Sequence, residues 1–295
     1  MTQTRGYIYG FIAMFGFGAT FIAIALAKES FDPVIVSAGR IVPAAIGSLL
    51  GLKLSGQKLF PPKSARIWVA VVAGGNIVFF PILTTLAMQT LPASDAGLIV
   101  AVGPMLTAAI ALLYGHKKPR PGFWVAASVG TIAAVAFAIT RSGQGVFSSG
   151  GAWWGYLLVA IGLFTTSNSH IAGGTLVQRG YNSFYVIMWA NVLSMPVLLP
   201  ITIVDLISHP IVHIPSITAW IGYLWVSLFS IFIGHYFWNS ALATVGIVKG
   251  SQLQLTQPIF TVILAALILA EPISPLTIAA GVVIIGSVAV SQRFK

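Results

Sequence analysis

Asp95–Lys117 reads DAGLIVAVGPMLTAAIALLYGHK, and Lys249–Glu271, 154 positions further on, reads KGSQLQLTQPIFTVILAALILAE. At that offset Ala87, Thr90, Pro104, Thr107, Ala111, Leu113 and Pro121 fall on Ala241, Thr244, Pro258, Thr261, Ala265, Leu267 and Pro275, while Asp95 falls on Lys249 and Lys117 on Glu271. The apolar residues repeat and the flanking charges reverse. One unit placed twice in a membrane, in opposite directions, has this signature, because the side of the membrane selects the sign of the charge beside a span.

Composition agrees with a membrane setting. The chain is 57% hydrophobic and 7% charged, with a mean hydropathy of +0.95, whereas soluble domains carry about a quarter charged residues. Its apolar runs approach the roughly 20 residues that a helix needs to cross about 30 Å of hydrocarbon. Runs such as Val69–Leu86 and Leu253–Ala270 lack the alternation of a transmembrane β-strand, so the expected fold class is all-α and integral to the membrane, with no soluble domain. A net charge of +10 would suggest nucleic acid in a soluble protein. Here the basic residues mark one side of a bilayer, and no nucleic-acid partner is expected. The chain has no cysteine, which excludes disulfides and thiolate metal sites. Arg5 and the apolar run to Ala27 end at Lys28-Glu29 without a small-residue cleavage pattern, so this run reads as a retained first span.

Charges, prolines and glycines punctuate ten expected transmembrane helices, near 7–27, 33–52, 67–89, 95–115, 122–140, 153–177, 183–204, 218–243, 250–270 and 275–292. With a cytoplasmic N-terminus, the inner side receives Arg5, Lys53, Lys58, Lys63, Arg66, Lys117, Lys118, Arg120, Arg179, Lys249, Arg293 and Lys295, twelve of the 15 basic residues. Lys28 and Arg141 fall outside with all five acids, Glu29, Asp32, Asp95, Asp205 and Glu271. Both termini are then cytoplasmic. Ten spans divide into two groups of five, and an odd number inverts the second group. The expected architecture is two inverted five-helix repeats, 1–141 and 142–295, around a central cavity and within one membrane-embedded unit.

The two halves carry further landmarks. Each has a helix that starts from Ala93-Ser-Asp-Ala-Gly97 or Lys249-Gly-Ser-Gln-Leu253 and passes a proline; the second leaves through Ala265-Ala-Leu-Ile-Leu-Ala-Glu-Pro-Ile-Ser274. Asp32-Pro33 with Arg40, Asn76–Phe80 and Ile278–Gly286 add to the pattern over the whole chain. In these features the sequence resembles the drug/metabolite transporter superfamily, EamA-type. It departs from that pattern at Gly115-His-Lys-Lys-Pro119, where the first half lacks the Ala-Glu-Pro element. The resemblance implies two pseudo-symmetric halves around a central cavity and a carrier of small organic metabolites, usually moved outward; the expected setting is a monomer in the bacterial inner membrane. Its length and aromatic-rich spans most resemble the aromatic amino-acid exporters of that superfamily.

Several side chains are candidates for substrate contact. Gln254, Gln257 and Thr261 lie at i, i+3 and i+7 on the expected ninth helix, beside Pro258. Amides are costly in lipid, so this face should point inward, either to bind substrate or to hold helices together. The matching face of the fourth helix, Val100, Gly103 and Thr107, is small. His235, Trp238 and Asn239 make a second polar and aromatic face, with Asn76 and Asn168 adding neutral amides at membrane depth. Amides suit an α-amino and an α-carboxylate group, and a ring has Trp238, Phe79 or Phe80 to rest on. Trp68, Trp124, Trp153, Trp154, Trp220 and Trp225 read as an interfacial belt.

Arg40 is the one charge expected inside a span, about 10 Å below the surface at 1.5 Å per residue. It either draws a substrate carboxylate or locks helices through backbone carbonyls, since a central arginine costs about 2.5 to 3.5 kcal/mol. Pro104 and Pro258 are expected mid-helix, as hinges or permanent kinks. With acids expected outside every span, a carboxylate proton relay is disfavoured and facilitated transport preferred. His170 and His235 are the titratable groups at depth. The competing functions are efflux of lipophilic cations, a channel, and a membrane-embedded transferase. Efflux would prefer a buried carboxylate, and the enzyme would need clustered acids for a metal. Neither arrangement is expected from singly scattered acids, so no cofactor, metal ligand or catalytic residue is assigned.

Overall fold

The computed structural model describes residues 2–87, 102–142, 153–268 and 275–294, and among them every regular element is helical. We number the α-helices α1 (Gln3–Ala27), α2 (Ile41–Leu54), α3 (Arg66–Val72), α4 (Phe80–Ala87), α5 (Gly103–Leu113), α6 (Pro121–Ser142), α7 (Trp153–Gln178), α8 (Ser183–Ser208), α9 (Ile217–Leu224), α10 (Gly234–Val245), α11 (Ile247–Ser251), α12 (Gln257–Ile268) and α13 (Pro275–Ser291). Several run on through tighter or wider turns. Among the described residues, six continuous runs are long and apolar enough to cross a membrane: Gln3–Ala27, Ile35–Leu54, Lys63–Thr84, Ser183–Ser208, Ile217–Val245 and Ile247–Ile268. Asp95, Val100 and Glu271 lie outside the described residues.

Local chemistry sets several helix ends. The side chains of Thr2, Asn182 and Ser216 accept from the amides of Arg5, Phe184 and Ala219, satisfying donors that a first helical turn leaves free. At Gly246, φ is +100°, a conformation that costs other residues a steric clash, and α10 stops there before α11 begins.

Two long runs are interrupted by π-helix at equivalent places. Ala73–Phe79 joins α3 to α4, and Trp225–Ile233 joins α9 to α10. Each closes with a bond spanning five residues, from Phe80 N–H to the Gly75 carbonyl and from Gly234 N–H to the Phe229 carbonyl. Those positions are 154 apart. Helix packing follows the same offset: α1 lies against α9, α10 and α12, and its counterpart α7 lies against α3, α4 and α5. The pairs α2 with α8 and α6 with α13, each related to itself by the offset, also pack closely.

Charge sorts to the ends of the bundle. At one end Tyr7 donates to Gln292 (2.9 Å), Lys249 donates to the Gln292 carbonyl (3.1 Å), and the Arg179 guanidinium sits 4.6 Å over the Trp68 ring. At the other end Thr218 donates to Glu29 (3.3 Å), and Asp32 lies near Asp205 and His209.

Pro104 is the second residue of α5, at the edge of the described residues, and Pro258 lies midway along the continuous run Ile247–Ile268, directly after the 3-10 turn Gln252–Thr256, where a proline suits either a hinge or a permanent kink. Two sequence expectations change. Asp205 is not in a loop, because α8 runs on to Ser208 and buries it in the last turn at 8% exposure. Trp225 leaves the belt: its indole N–H donates to the Gly16 carbonyl on α1 (3.3 Å).

Candidate functional site

α7 presents Thr166, Ser169, His170 and Gly173 along one face. Thr166 donates to the side-chain oxygen of Asn76 in the first π segment, and Ser169 donates to the Val72 carbonyl (3.0 Å). Gly75 makes this approach possible, because a Cβ there would strike the Thr165 carbonyl and Ser169. Further along, the His170 ring lies 5.6 Å from Trp238 and 6.4 Å from His235, and Gly173 abuts the Asn239 amide.

The second π segment and α1 close the other side. Ser230 and Thr20 share a hydrogen bond of 2.6 Å, and the Ser230 carbonyl accepts from Nδ1 of His235 at 2.7 Å. A carbonyl only accepts, so Nδ1 carries the proton and Nε2 remains for another partner. The Phe17 ring stands edge-on to His235 at 5.1 Å. The backbone beside that ring holds α12: Gln257 reaches the Phe17 carbonyl (3.5 Å) and Thr261 the Gly18 carbonyl (3.2 Å).

Around this junction several buried polar atoms lack a protein partner: Asn76 Nδ2, His170 Nδ1, Trp238 Nε1, both amide atoms of Asn239 and Arg40 Nε. Such atoms are rare in protein interiors and costly in a membrane. Arg40 stands where the π turn Ile35–Gly39 gives way to α2, a helix that packs on the second π segment. The cluster therefore offers donors, acceptors, one cation and flat aromatic surface, with no carboxylate among them.

The structure divides the sequence-derived candidates. Asn76, His235, Trp238 and Asn239 come to this junction, joined by His170, Thr166, Thr20 and Ser230, and Arg40 borders it at the start of α2, which packs on the second π segment. Asn168 does not: it projects from the opposite face of α7, accepts from the Tyr114 hydroxyl (2.8 Å) and donates to the Phe164 carbonyl (2.8 Å), so both ends of its amide are satisfied. Phe79 is 52% exposed, and Phe80 packs against Gly162. Gln257 reaches from α12 to α1, while Gln254 keeps a buried, unpaired Oε1. Gln252 was not anticipated. It is fully buried and reaches the Pro104 carbonyl (3.4 Å), which Ser251 also donates to (3.1 Å).

A separate open groove runs between α6 and α13, lined by Val125, Ala126, Val129, Ser287, Val290 and Phe294. It lies away from the polar junction and offers only apolar surface. The acids are also less scattered than their sequence positions suggest: packing of α2 on α8 brings Asp32 beside Asp205 and His209.

Comparison with known proteins gives this geometry a setting. The chain is 35% identical over 296 residues to the uncharacterized transporter YdeK of Bacillus subtilis, covering 99% of this chain and 98% of that protein. It is 29% identical over 163 residues to the uncharacterized inner membrane transporter YedA of Escherichia coli K12, covering 54% of this chain and 50% of the relative. A protein solved by crystallography shares the fold at a TM-score of 0.80 and 17% identity, over 98% of this chain and 96% of the other. Two stretches, residues 4–139 and 153–292, separately match the profile of the EamA-like transporter family. The chain is a multi-pass membrane protein and belongs to the EamA-like transporter family.

Proposed function

We propose that the protein exports aromatic and other hydrophobic amino acids across the bacterial inner membrane, by alternating access between two inverted five-helix repeats. The observation that carries the substrate class is the junction of Arg40, Asn76, His170, His235, Trp238 and Asn239, with its unpaired buried donors and acceptors. An amino-acid zwitterion needs a cation or N–H groups for its carboxylate, carbonyl or amide oxygens for its ammonium, and a flat surface for an aromatic side chain. Arg40 disfavours a lipophilic cation at the same place, which would gain from a carboxylate instead.

Residues 1–141 and 142–295 are the two repeats in this reading. Its supports are the separate family matches, the packing that recurs at an offset of 154, and the paired π segments. The ten spans and cytoplasmic termini rest on the sorting of basic and acidic residues to opposite ends. Transport is facilitated, without a carboxylate relay and without enzymatic chemistry, and the carrier acts as a monomer.

The test is uptake of labelled phenylalanine, tryptophan and leucine into proteoliposomes, with a quaternary ammonium ion in parallel. Counterflow, in which unlabelled substrate on the far side accelerates labelled flux, is expected of a carrier and not of a channel. Movement of the quaternary ion without the amino acids would replace the proposal with cation efflux. An imposed pH gradient that drives substrate uphill would overturn the facilitated mechanism.

A further inference from the structure

We infer that Asp32, Asp205 and His209 form a binding site for a zinc-class divalent transition-metal ion at the acidic end of the bundle. One ligand atom from each residue lies within 4.8 Å of the other two. Asp32 stands just before the π turn that opens into α2, whereas Asp205 and His209 come from the last turn and C-terminal cap of α8. The three groups thus come from the ends of two helical runs that pack together.

The geometry suits a small ion. With bonds of about 2.0 to 2.2 Å, tetrahedral zinc sets its ligand atoms roughly 3.3 Å apart. His209 Nδ1 and Asp205 Oδ1 are already 3.2 Å apart. Asp32 brings a carboxylate oxygen within 4.8 Å of the ligand atoms of both, a three-residue set with a fourth position for water, as in open zinc sites. Asp32 Oδ1 accepts from the Val34 amide at 2.8 Å, which steadies the carboxylate. One imidazole with two carboxylates favours zinc, cobalt or nickel over magnesium or calcium, which prefer oxygen alone.

A helix-terminal ion pair between residues four apart accounts for His209 and Asp205 alone. It leaves two facts unexplained. Asp205 is only 8% exposed, yet its Oδ2 is buried with no hydrogen-bond partner. A carboxylate oxygen in that state is expensive unless a cation meets it. Asp32 also converges on the pair without bonding to either residue. An ion bridging all three would satisfy Asp205 and brace α2 against α8.

The test uses the full-length chain in detergent, with any polyhistidine tag removed, and zinc chloride as the probe. Calorimetry and thermal unfolding are read together. Zinc is expected to bind at one ion per chain and to raise the melting temperature, while magnesium at the same concentration does neither. His209→Ala and Asp205→Asn should abolish both effects, and Asp32→Asn should weaken them. His213→Ala, a change at an exposed residue of the same loop, should leave them intact. Should Asp205→Asn fail to fold, His209→Ala decides the matter, because that side chain is 65% exposed. Absence of zinc binding in the wild type, or zinc binding unchanged in His209→Ala, overturns the inference. Equal loss in His213→Ala also overturns it, by assigning the zinc to loop histidines.

Discussion

The carbonyl of Ser230 accepts from Nδ1 of His235 at 2.7 Å, from one turn of a π segment to the first turn of α10. This bond fixes the tautomer and leaves Nε2 as the free polar atom of a ring that lies 6.4 Å from that of His170. His235→Asn keeps a side-chain donor, whereas His235→Leu keeps none. Transport by the leucine variant is expected to fall about tenfold, the worth of one hydrogen bond of roughly 1.4 kcal/mol, with the asparagine variant in between. Initial rates in proteoliposomes of matched protein content measure this, and equal activity of all three proteins would remove His235 from the site.

Asn76 has one protein partner for its amide, the Thr166 hydroxyl, and its Nδ2 has none. Thr166→Val preserves shape and removes that bond, leaving the whole amide buried and unsatisfied. The expected cost is about 1 to 3 kcal/mol of stability, read by denaturant titration in detergent. Asn76→Leu combined with Thr166→Val should be less harmful than Thr166→Val alone, because both polar ends are then gone. A double variant as unstable as the sum of the two would show that the pair does not interact.

Two glycines should respond in opposite directions. A Cβ at Gly75 would meet the Thr165 backbone and Ser169, while a Cβ at Gly281 in α13 meets nothing within 4 Å. Gly75→Ala is expected to lose about 1 to 3 kcal/mol through forced separation of the first π segment from α7. Gly281→Ala should be neutral or gain up to about 1 kcal/mol from helix propensity. Thermal melts of the two variants side by side check the contrast. A melting temperature for Gly75→Ala equal to that of the wild type would show that the helices have room to part.

The helices themselves were legible because apolar runs, capping residues and flanking charges are local properties. So was the offset of 154, which the packing of α1 and α7 then follows. What sequence could not place were features created by contact. The π segments depend on how α3 and α9 meet their neighbours, and only the close approach of Gly75 to α7 hints at one. Asn168 and His170 differ by two residues, yet α-helical rotation puts them on opposite faces; knowing depth to about a turn does not separate them. The Asp32 cluster is invisible in one dimension, since its members belong to loops and helix ends far apart along the chain. The 3-10 turn just before Pro258 is of the same kind: the apolar run around that proline gives no sign of it.

Arg40 offers the sharpest test of substrate recognition, because its charge and its packing can be changed separately. If its guanidinium meets the substrate carboxylate, Arg40→Gln should raise KM for tryptophan by about tenfold or more, as expected for a charge-assisted bond worth roughly 1.5 to 3 kcal/mol. Arg40→Lys keeps the charge without the planar fork and should fall between the two. Tryptamine, which has the ring and the ammonium but no carboxylate, supplies the control. Its uptake should be unchanged or improved in Arg40→Gln, because a buried positive charge that repels the amine has been removed. If Arg40 instead locks helices, both compounds should lose transport alike and the melting temperature should drop with them. A parallel loss of tryptophan and tryptamine uptake therefore moves Arg40 from the substrate to the scaffold, and only a selective loss keeps it at the site.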